Sequence, residues 1–559
     1  MNYKNVIGNW KVVRLGRVAD ICLGKTPHRK VKSYWDNGII PLVKIQDMTE
    51  KFIRDTSEKI TYKAFKEIFH NNLIPEGTLL MSFKLTIGRT AFLEIDAVHN
   101  EAIVSIFPNP NLVDKNYLFY LLPALNYSEL TSGAAKGETL NKEKIKNLLI
   151  PLPPFPEQKR IVGILNLAEE LINKQKSAIA LIDKILMAKF LEMFGDPTTN
   201  PKGWEVKRLG EVTQISPSRY EVMRKSNCFF IPMELIPQGE KFFTDYKVMK
   251  FKEIKSGISV SPGDLLIAKI TPCFENGKIG FVPKIPTGFF MATTEVHPIR
   301  SKGNNIDLRF LYYLLRHKKI KEYLKNQMTG TSGRKRIPQK ALVKLQIPLP
   351  PIHLQQQFAQ IVEKFEEKRK EMQNTLETLE SLFKILQKKA FTGELTAEWR
   401  EKQKIDWELP KITERQAILL ALLYYSHIVL KKPAMLTFAM KEAFLLQKEA
   451  GLNLGYEFIP YKYGPFSKEV YEDIEKLEKN LLVEKVKPSR DMEKTEVIIS
   501  KDFKDWVEKL INKLPEKHKN LIQSYVQKYG TLSYKELINY VYYKYPKFIV
   551  KSKGKRRII

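Results

Sequence analysis

The chain is built around an internal repeat with a period of almost 200 residues. The stretch Asn9-Trp-Lys-Val-Val-Arg-Leu-Gly16 returns as Gly203-Trp-Glu-Val-Lys-Arg-Leu-Gly210, and Ile150-Pro-Leu-Pro-Pro154 returns as Ile347-Pro-Leu-Pro-Pro351. Between these two signatures both copies keep the same order of turns and apolar segments, whereas most side chains differ. Self-similarity of this length predicts two globular modules that share one scaffold. Duplication for stability alone would explain the scaffold but not the basic loops that differ between the copies.

A long amphipathic helix is expected after each proline-rich signature, because proline is tolerated in the first turn of a helix but not inside it. Apolar residues then recur in steps of four and three over about four heptads, which is typical of coiled-coil packing. The residues that we expect to pair the two helices are Ile161, Leu165, Ile172, Ile179 and Leu186 in the first and Phe358, Val362, Phe365, Leu376 and Phe383 in the second. Two separate amphipathic helices, each packed on a local core, are the alternative.

Each apolar seam is interrupted by a polar residue, Gln175 in the first helix and Arg369 in the second. The matching phase of the two seams predicts that these residues lie near the same layer of the helix pair. At a rise of about 1.5 Å per residue, some 35 residues make a rod of about 50 Å. Such a rod would hold the two modules at a fixed separation.

The charge of the chain indicates a polyanionic partner. Lys and Arg number 93 against 62 Asp and Glu, which gives a formal net charge of +31. Attraction to phosphates and release of counterions would make nucleic-acid binding strong and salt-dependent. A lysine-rich proteome and an acidic membrane surface are the alternative explanations of the charge.

Cysteine usage and hydropathy favour a reducing cytoplasm. The three cysteines, Cys22, Cys228 and Cys273, are far apart and form no CxxC pair, so neither a disulfide framework nor a zinc cluster is expected. The start of the chain has no apolar signal core. The longest apolar run, residues 417–430, is shorter than the roughly 20 residues that a membrane span needs.

Over about residues 9–395 the chain resembles the specificity subunits of type I restriction-modification systems. The resemblance rests on the Trp-x-Val-x-x-Leu-Gly opening of each copy, the IPLPP-Phe-Pro-Glu-Gln segment and the heptad helix after each copy. In the second copy, Ile270-Thr-Pro-Cys-Phe-Glu-Asn-Gly-Lys-Ile279 and Thr294-Glu-Val-His297 are similar to a segment common in their target recognition domains. One departure is His353-Leu-Gln-Gln356, where the first copy has Pro156-Glu-Gln158. This departure weakens the case for a partner contact through Glu-Gln in the second half.

The resemblance implies that each target recognition domain binds one half of an asymmetric, interrupted sequence in double-stranded DNA. The paired helices would set the spacing of the halves and dock two methyltransferase subunits, which motor-nuclease subunits then join. The complex would methylate adenine at N6 or cleave DNA with ATP. This chain would bind no cofactor, since S-adenosylmethionine, ATP and Mg²⁺ would be used by its partners.

The residues themselves indicate no catalytic site. The chain has no Asn-Pro-Pro-Tyr or Asp-Pro-Pro-Tyr motif and no FxGxG loop of an adenine methyltransferase. Gly24-Lys25-Thr26 resembles the end of a phosphate-binding loop, but the earlier glycine that such a loop needs would fall at Ala19, so a plain loop is expected. Asp264 and Lys269 lack the spacing of a nuclease acid-x-Lys pair, and the eight histidines form no metal-binding pair. A self-contained restriction enzyme and an interaction scaffold are the alternative functions.

Basic, polar loops are the candidates for DNA contact, because cations fix the register on phosphates while donors and acceptors read base edges. The candidate residues are Lys84, Arg89 and Lys136 in the first copy and Lys269, Lys278, Arg334, Lys335 and Arg336 in the second. The Gly-Arg-Lys-Arg cluster at 333–336 is the most basic of these sites. Glu275 and Asn276 could read a base or close the turn before Gly277, and the turn is favoured.

A different domain follows a charged linker at 396–410. Apolar helices are expected near Glu414 to Leu430 and Leu436 to Lys448, and Ser467 is a candidate cap for the next helix. The segment Tyr463-Gly-Pro-Phe466, with Tyr540-Val-Tyr-Tyr-Lys-Tyr-Pro546, resembles the SocA-like (Panacea) domain, whose relatives bind other proteins. A further protein partner is therefore expected, and unchanged assembly, stability and restriction after deletion of residues 410–559 would argue against it.

The predicted fold class is α+β: two mixed α/β recognition domains, separated and joined by two long antiparallel coiled-coil helices, and a mostly α-helical C-terminal domain. The expected boundaries are 1–153 and 198–350 for the recognition domains, 154–197 and 351–395 for the helices, 396–410 for the linker and 411–559 for the SocA-like domain.

Overall fold

The computed structural model describes residues 10–127, 140–217, 227–239, 242–284, 289–331, 334–404, 409–431, 433–461, 464–486, 495–501 and 503–548. The chain divides into two compact units. The first comprises residues 1–167 and 383–559, and the second comprises residues 168–382. Each unit therefore contains one copy of the repeat and one end of each long helix.

The first copy is an α/β module with a central five-stranded sheet. Its strands are β1 (Lys11–Arg14), β2 (Ala19–Leu23), β3 (Ile40–Val43), β4 (Phe52–Ile53), β5 (Glu58–Ile60), β6 (Leu79–Ser82), β7 (Thr90–Leu93), β8 (Val98–His99), β9 (Ile103–Pro108) and β10 (Leu149–Leu152). Its helices are α1 (Leu15–Val18), α2 (Tyr62–Phe69), α3 (Lys115–Leu121) and α4 (Lys142–Lys146). The central sheet has the order β2-β9-β6-β7-β4, and β5-β3-β8 form a smaller sheet. All residues of β6 and β7 are buried, and all of them except Ser82 and Thr90 are apolar.

The two signatures of each repeat close its module. In the first copy β1 pairs antiparallel with β10, so that Lys11 lies opposite Leu152. In the second copy β11 pairs in the same way with β20, and Glu205 lies opposite Leu349. The opening Trp-x-Val segment and the closing IPLPP segment are therefore the two strands of one small sheet in each copy.

The second copy repeats this architecture. Its strands are β11 (Glu205–Arg208), β12 (Thr213–Ile215), β13 (Asn227–Ile231), β14 (Lys247–Lys250), β15 (Ile258–Val260), β16 (Leu265–Ala268), β17 (Ile279–Phe281), β18 (Phe289–Ala292), β19 (Val296–Ser301) and β20 (Gln346–Leu349). Its helices are α6 (Leu209–Val212), α7 (Leu308–Arg316), α8 (Lys318–Asn326) and α9 (Gln339–Val343). The sheet β12-β19-β16-β17 corresponds to the central sheet of the first copy, and β14-β13-β18-β15 form a second sheet.

Two long helices, α5 (Phe155–Phe194) and α10 (Ile352–Thr392), follow the two copies. Within the second unit they run antiparallel, since Lys176 contacts Glu380 at 2.7 Å whereas Asp183 contacts Arg369 at 2.6 Å. The Gln175 amide donates to the Met372 carbonyl at 2.8 Å. Gln175 therefore contacts the residue of α10 that lies one seam step from Arg369, whereas Arg369 itself pairs with Asp183. In an antiparallel pair, positions of matching phase meet only near the midpoint of the pair.

The C-terminal domain is mostly helical. Its helices are α12 (Glu414–Leu430), α13 (Leu436–Glu449), α14 (Lys468–Lys479), α15 (Lys504–Asn512), α16 (Glu516–Tyr529) and α17 (Tyr534–Lys544). Its strands are β21 (Ala434–Met435), β22 (Ile459–Tyr461), β23 (Gly464–Phe466), β24 (Val483–Val486) and β25 (Glu496–Ile499). Ser467 stands at the start of α14, but its hydroxyl donates to Glu469 and does not cap the helix. Among the helices that the structure describes, none is both long and apolar enough to cross a membrane.

The predicted linker contains a further helix, α11 (Ala397–Gln403). Its Arg400 side chain is buried in the first unit. Within the same unit the C-terminal domain contacts the first module, since Lys11 pairs with Asp505 at 3.0 Å and Arg17 with Glu484 at 2.9 Å. One hydrophobic cluster also runs from the first module into the C-terminal domain. The domain is thus packed on the first module.

Candidate DNA-recognition surfaces

In the first module, several loops gather at one end of the central sheet. Strands β2 and β6 both pair antiparallel with β9, so that they end where β9 begins. The ends at this edge are Leu23 of β2, Ser82 of β6 and Ile103 of β9. The loop from β6 to β7 is closed by the Ser82 amide, which donates to the Arg89 carbonyl at 2.8 Å. Lys84 is half-buried in this loop and Arg89 is exposed. Both candidate cations therefore lie at this sheet end.

The second module has the same loop at the same place. The Ala268 amide donates to the Lys278 carbonyl at 3.0 Å, as Ser82 does to Arg89. Lys278 therefore stands at the position of Arg89. The Lys269 amide donates to the Glu295 carbonyl, and the Lys269 carbonyl accepts from the Ile337 amide. In the first copy Phe83 makes the same two backbone hydrogen bonds, donating to Ala102 and accepting from Leu140. The two loops are structurally equivalent, although they differ in length and in sequence.

In the second module, the described cations of the Gly-Arg-Lys-Arg cluster, residues 334–336, lie beside this loop. Thr329 and Arg336 exchange backbone hydrogen bonds at 2.9 and 2.8 Å, and the Thr271 amide donates to the Lys335 carbonyl at 3.0 Å. Arg334, Lys335 and Arg336 are all exposed. The sequence-predicted cations 269, 278 and 334–336 are thus on two adjoining loops. Lys136 of the first copy lies outside the described residues.

Two of these cations already have internal partners. The Lys278 ammonium donates to the Met233 carbonyl at 2.6 Å. Arg336 donates to both carboxylate oxygens of Glu295, at 2.9 and 3.0 Å, and this pair lowers the pKa of Glu295 below its ordinary value. Arg334 and Lys335 have no ion-pair partner among the described residues. Among the described residues, Arg334 and Lys335 are therefore the cations of the cluster without an ion-pair partner, while Arg336 is held by Glu295.

Asn276 is available to a ligand. The backbone closes the turn, because the Asn276 amide donates to the Pro272 carbonyl at 2.9 Å and Gly277 has φ +78°. The exposed side-chain amide of Asn276 makes no hydrogen bond to any residue that the structure describes. It lines a cleft of about 180 Å³ together with Lys278, Arg316 and Lys321. Glu275, in contrast, lies 3.7 Å from the Lys325 ammonium.

The segment after β2 also lies at the sheet end of the first module, and sequence reasoning did not select it. The Gly24 amide donates to the Ile103 carbonyl and the Lys25 amide to the His99 carbonyl. Gly24-Lys25-Thr26 is a loop, and the Lys25 ammonium donates to the Ile68 carbonyl. The next residues include Arg29, whose guanidinium stacks 4.0 Å from the Trp35 ring, and exposed Lys30. The run His28-Arg29-Lys30 was the available signal.

The polar residues with possible catalytic character serve the fold instead. His99 is buried and its Nε2 lies 2.5 Å from the Ser105 hydroxyl, and burial lowers its pKa to about 4. Asp264 binds Arg300 through two hydrogen bonds of 2.7 Å. Among the described residues no group of three His, Cys, Asp or Glu is placed to hold a metal ion.

The Glu-Gln segment at the start of α5 is also internal. Gln158 is buried; it accepts from the Asp114 amide at 2.8 Å, and Gln355 accepts in the same way from the Asp307 amide at 2.9 Å. Each glutamine thus holds the residue that caps the following helix of its module. Glu157 has no counterpart, because Leu354 stands at its place.

Glu157 is the centre of a buried polar cluster. Its carboxylate accepts hydrogen bonds from the Trp10 indole at 2.9 Å and from the Thr396 hydroxyl and Arg400 guanidinium at 2.5 Å each. The side chain is fully buried. The cluster ties the first signature strand, the start of α5 and helix α11 together within the first unit.

The structure distributes the expected helix-pairing residues between the cores of the two units. Ile161 and Leu165 are buried in the core of the first unit, where Phe383 is half-buried. Leu186, Phe358 and Val362 are buried in the core of the second unit, with Phe365 packed against it. Ile172 and Leu376 are buried and Ile179 is half-buried. The predicted seam did not include Phe190 and Phe194, which lie one and two turns further along α5. Both pack on Phe310 and Phe358.

A polar cluster docks the second module on the helix pair. The Arg369 guanidinium of α10 donates to Asp183 of α5 and, at 3.1 Å, to the Gly239 carbonyl of the module. Arg316 of α7 donates to the second oxygen of Asp183 at 3.1 Å. Arg369, predicted as a polar break in the seam, therefore binds both the other helix and the module.

Comparisons with known proteins identify both parts of the chain. The family model of the type I restriction modification DNA specificity domain matches residues 7–181 and 201–381. The model of the antitoxin SocA-like, Panacea domain matches residues 442–546. These two matches cover the tandem copies and the C-terminal domain respectively.

Individual proteins similar to this chain are specificity subunits. The MjaIX type I restriction enzyme specificity subunit of Methanocaldococcus jannaschii is 27% identical over 429 residues, which are 70% of this chain and 94% of that protein. The EcoAI specificity subunit of Escherichia coli is 31% identical over 224 residues, 38% of this chain and 36% of that protein. The crystal structure of the type I restriction-modification S subunit from M. genitalium aligns with a TM-score of 0.38 and 15% identity, covering 69% of this chain and 97% of that one. Because the specificity-domain model matches both copies and well over half of the residues, the chain belongs to the type I restriction-modification DNA specificity family and carries a SocA-like domain at its C-terminal end.

Proposed function

We propose that this chain selects the DNA target of a type I restriction-modification complex, and that each module binds one half of an asymmetric, interrupted sequence. The observation that carries the proposal is the equivalent loop at the sheet end of the two modules, closed by Ser82–Arg89 in one and Ala268–Lys278 in the other. Family membership supports it further.

The chemistry of the loops fits DNA recognition. A fixed scaffold with cations beside it can bind phosphates in one register, while the variable side chains of the loops read base edges. The two loops carry different residues, such as Leu85 in the first and Asn276 in the second. Two modules with different loops would bind two different half-sites, which gives an asymmetric target.

In the proposed complex, two methyltransferase subunits bind around α5 and α10, and the helix pair sets the spacing of the half-sites. Motor-nuclease subunits join this assembly. The partners use S-adenosylmethionine, ATP and Mg²⁺, and this chain supplies recognition without a catalytic group or a bound cofactor.

The test is to co-express the full chain with the methyltransferase subunit from the same genome, in a host without adenine methylation, and to map N6-methyladenine by long-read sequencing. The expected result is one motif with two specified parts and an unspecified spacer. A stable complex that methylates no defined motif would contradict the proposal.

The C-terminal domain is proposed to dock a further protein. Its ion pairs with Lys11 and Arg17 hold it on the first module, so that a bound partner would be carried next to the recognition complex. Truncation after Gln403 removes the domain but keeps α11 and the Glu157 cluster. If assembly, stability and restriction are all unchanged by this truncation, the docking role is wrong.

A further inference from the structure

The β6–β7 loop of the first module is tightly held at both ends. The Gly88 amide donates to the Ser82 carbonyl at 2.9 Å, and the Ser82 hydroxyl donates to the Thr86 carbonyl. Gly88, with φ +84°, lies against Tyr127, and a Cβ there would come within 2.6 Å of the ring. The conformation of the loop is therefore fixed by the fold of the module.

This rigid loop presents a leucine to solvent. Leu85 is 85% exposed, the second largest exposed fraction among the large hydrophobic side chains that the structure describes. Its φ is +61°, in the left-handed region that leucine rarely adopts. A leucine held in this region is strained, and glycine would avoid the strain. Neither packing nor backbone geometry explains a leucine here.

Cations flank this leucine. Lys84 precedes it and Arg89 follows four residues later, and neither has an ion-pair partner among the described residues. The equivalent loop of the second module, residues 269–278, carries no exposed large hydrophobic side chain, and all of its residues are described. The apolar tip is therefore particular to the first module.

We propose that Leu85 is a specificity-determining residue that contacts the 5-methyl group of a thymine in the half-site of the first module. Among the groups exposed in the major groove, this methyl is the apolar one, and an aliphatic side chain favours it over the other bases. Lys84 and Arg89 bind the neighbouring phosphates and hold the tip against the groove. The inference rests on the proposed function of the module.

The test removes the methyl group from either side of the contact. The full chain, assembled with its methyltransferase subunit, is titrated with duplexes in which each thymine of the target is replaced in turn by deoxyuridine, for the wild type and for Leu85→Ala. Ile39→Ala, which truncates another exposed side chain of the same module, is the control. Thermal unfolding of both variants confirms that they are folded.

In the wild type, one deoxyuridine in one half-site is expected to weaken binding about fourfold, the factor for one buried methyl group at about 0.8 kcal/mol. In Leu85→Ala the same replacement should have no effect, while Ile39→Ala should behave as the wild type. A defined bipartite motif without any thymine whose methyl matters, or an equal deoxyuridine effect in Leu85→Ala, would overturn the assignment of Leu85 and leave the proposed function intact. Failure of the wild-type complex to bind any defined target would instead overturn the proposed function and this inference with it.

Discussion

Replacement of Glu157 by leucine, the residue found at the equivalent position 354, is expected to release helix α11 from the first unit. The carboxylate of Glu157 is fully buried and accepts hydrogen bonds from Trp10, Thr396 and Arg400. Leucine would leave these three donors without their common acceptor. The second module tolerates leucine because the indole of Trp204 donates to the Phe194 carbonyl instead.

The magnitude follows from the burial of the charges. Breaking a buried ion pair by removing one partner costs about 3–5 kcal/mol, since the other charge remains buried. The Arg400 side chain keeps 9% exposure and its second terminal nitrogen lies 3.4 Å from the Gly393 carbonyl, so part of its charge can be solvated. The lower end of the range, about 3 kcal/mol, is therefore expected, which corresponds to a local opening constant that is larger by roughly 150-fold.

Hydrogen–deuterium exchange of residues 393–403 in the full chain measures this opening. Arg400→Met and the double variant complete a thermodynamic cycle, in which a coupling energy of about 2 kcal/mol is expected because the double variant buries no unpaired charge. Glu170→Gln is the control, since Glu170 is 56% exposed in its 2.6 Å pair with Lys174 and its loss should cost less than about 0.5 kcal/mol. If the effect of the double variant equals the sum of the two single effects to within about 0.5 kcal/mol, Glu157 and Arg400 are not coupled.

Replacing Arg334 and Lys335 with alanine should weaken binding to all DNA sequences and reduce the slope of log K against log salt by about 2. Replacing the exposed Lys252 and Lys255 with alanine should leave this slope unchanged. Equal slopes for the two double variants, from titrations between 50 and 200 mM salt, would contradict this prediction. His99 has a pKa of about 4 in the folded chain and an ordinary value near 6.5 when unfolded, so the unfolded state binds more protons between these values and stability falls as the pH drops from about 6.5 to about 4. In His99→Gln this contribution, at most about 1.4 kcal/mol per pH unit, should disappear from denaturant titrations, and an unchanged pH dependence would show that His99 does not titrate in this way. Arg17→Glu should increase protease cleavage in the linker before the C-terminal domain, since the partly buried pair of Arg17 with Glu484 contributes about 1 kcal/mol. Combining Arg17→Glu with Glu484→Arg should restore protection. If it does not, this pair does not hold the domain on the first module.

The sequence was sufficient to predict the modules and the helices because both rest on repeated local patterns. The Trp-x-Val and IPLPP signatures recur with nearly constant spacing, and each pair forms the closing sheet of its module. The heptad seams likewise predicted α5 and α10. Their layers were not predictable in the same way, because the phase of one seam does not give the axial register of an antiparallel partner. Gln175 and Arg369 consequently contact Met372 and Asp183.

The candidate site was predictable as a set of loops but not as a set of free cations. The partner of Lys278 is the Met233 carbonyl, 45 residues away in sequence, and that of Arg336 is Glu295, 41 residues away. Such long-range contacts depend on the sheet arrangement, which no local motif encodes. The position of Leu85 was missed for a related reason, since its exposure and positive φ appear only once the loop is closed by Ser82.

An exchange of one module tests whether each module binds one half of the DNA target. Residues 204–350 would be replaced by the matching module of another family member, with both cuts placed beside the paired strands β11 and β20 so that the closing sheet is kept. Methylation by the hybrid complex is then mapped across a genome. If each module binds one half-site, we expect a motif in which one half is replaced and the other half is unchanged. A folded, active hybrid whose motif changes in both halves, or in neither, would contradict the assignment of one half-site to each module.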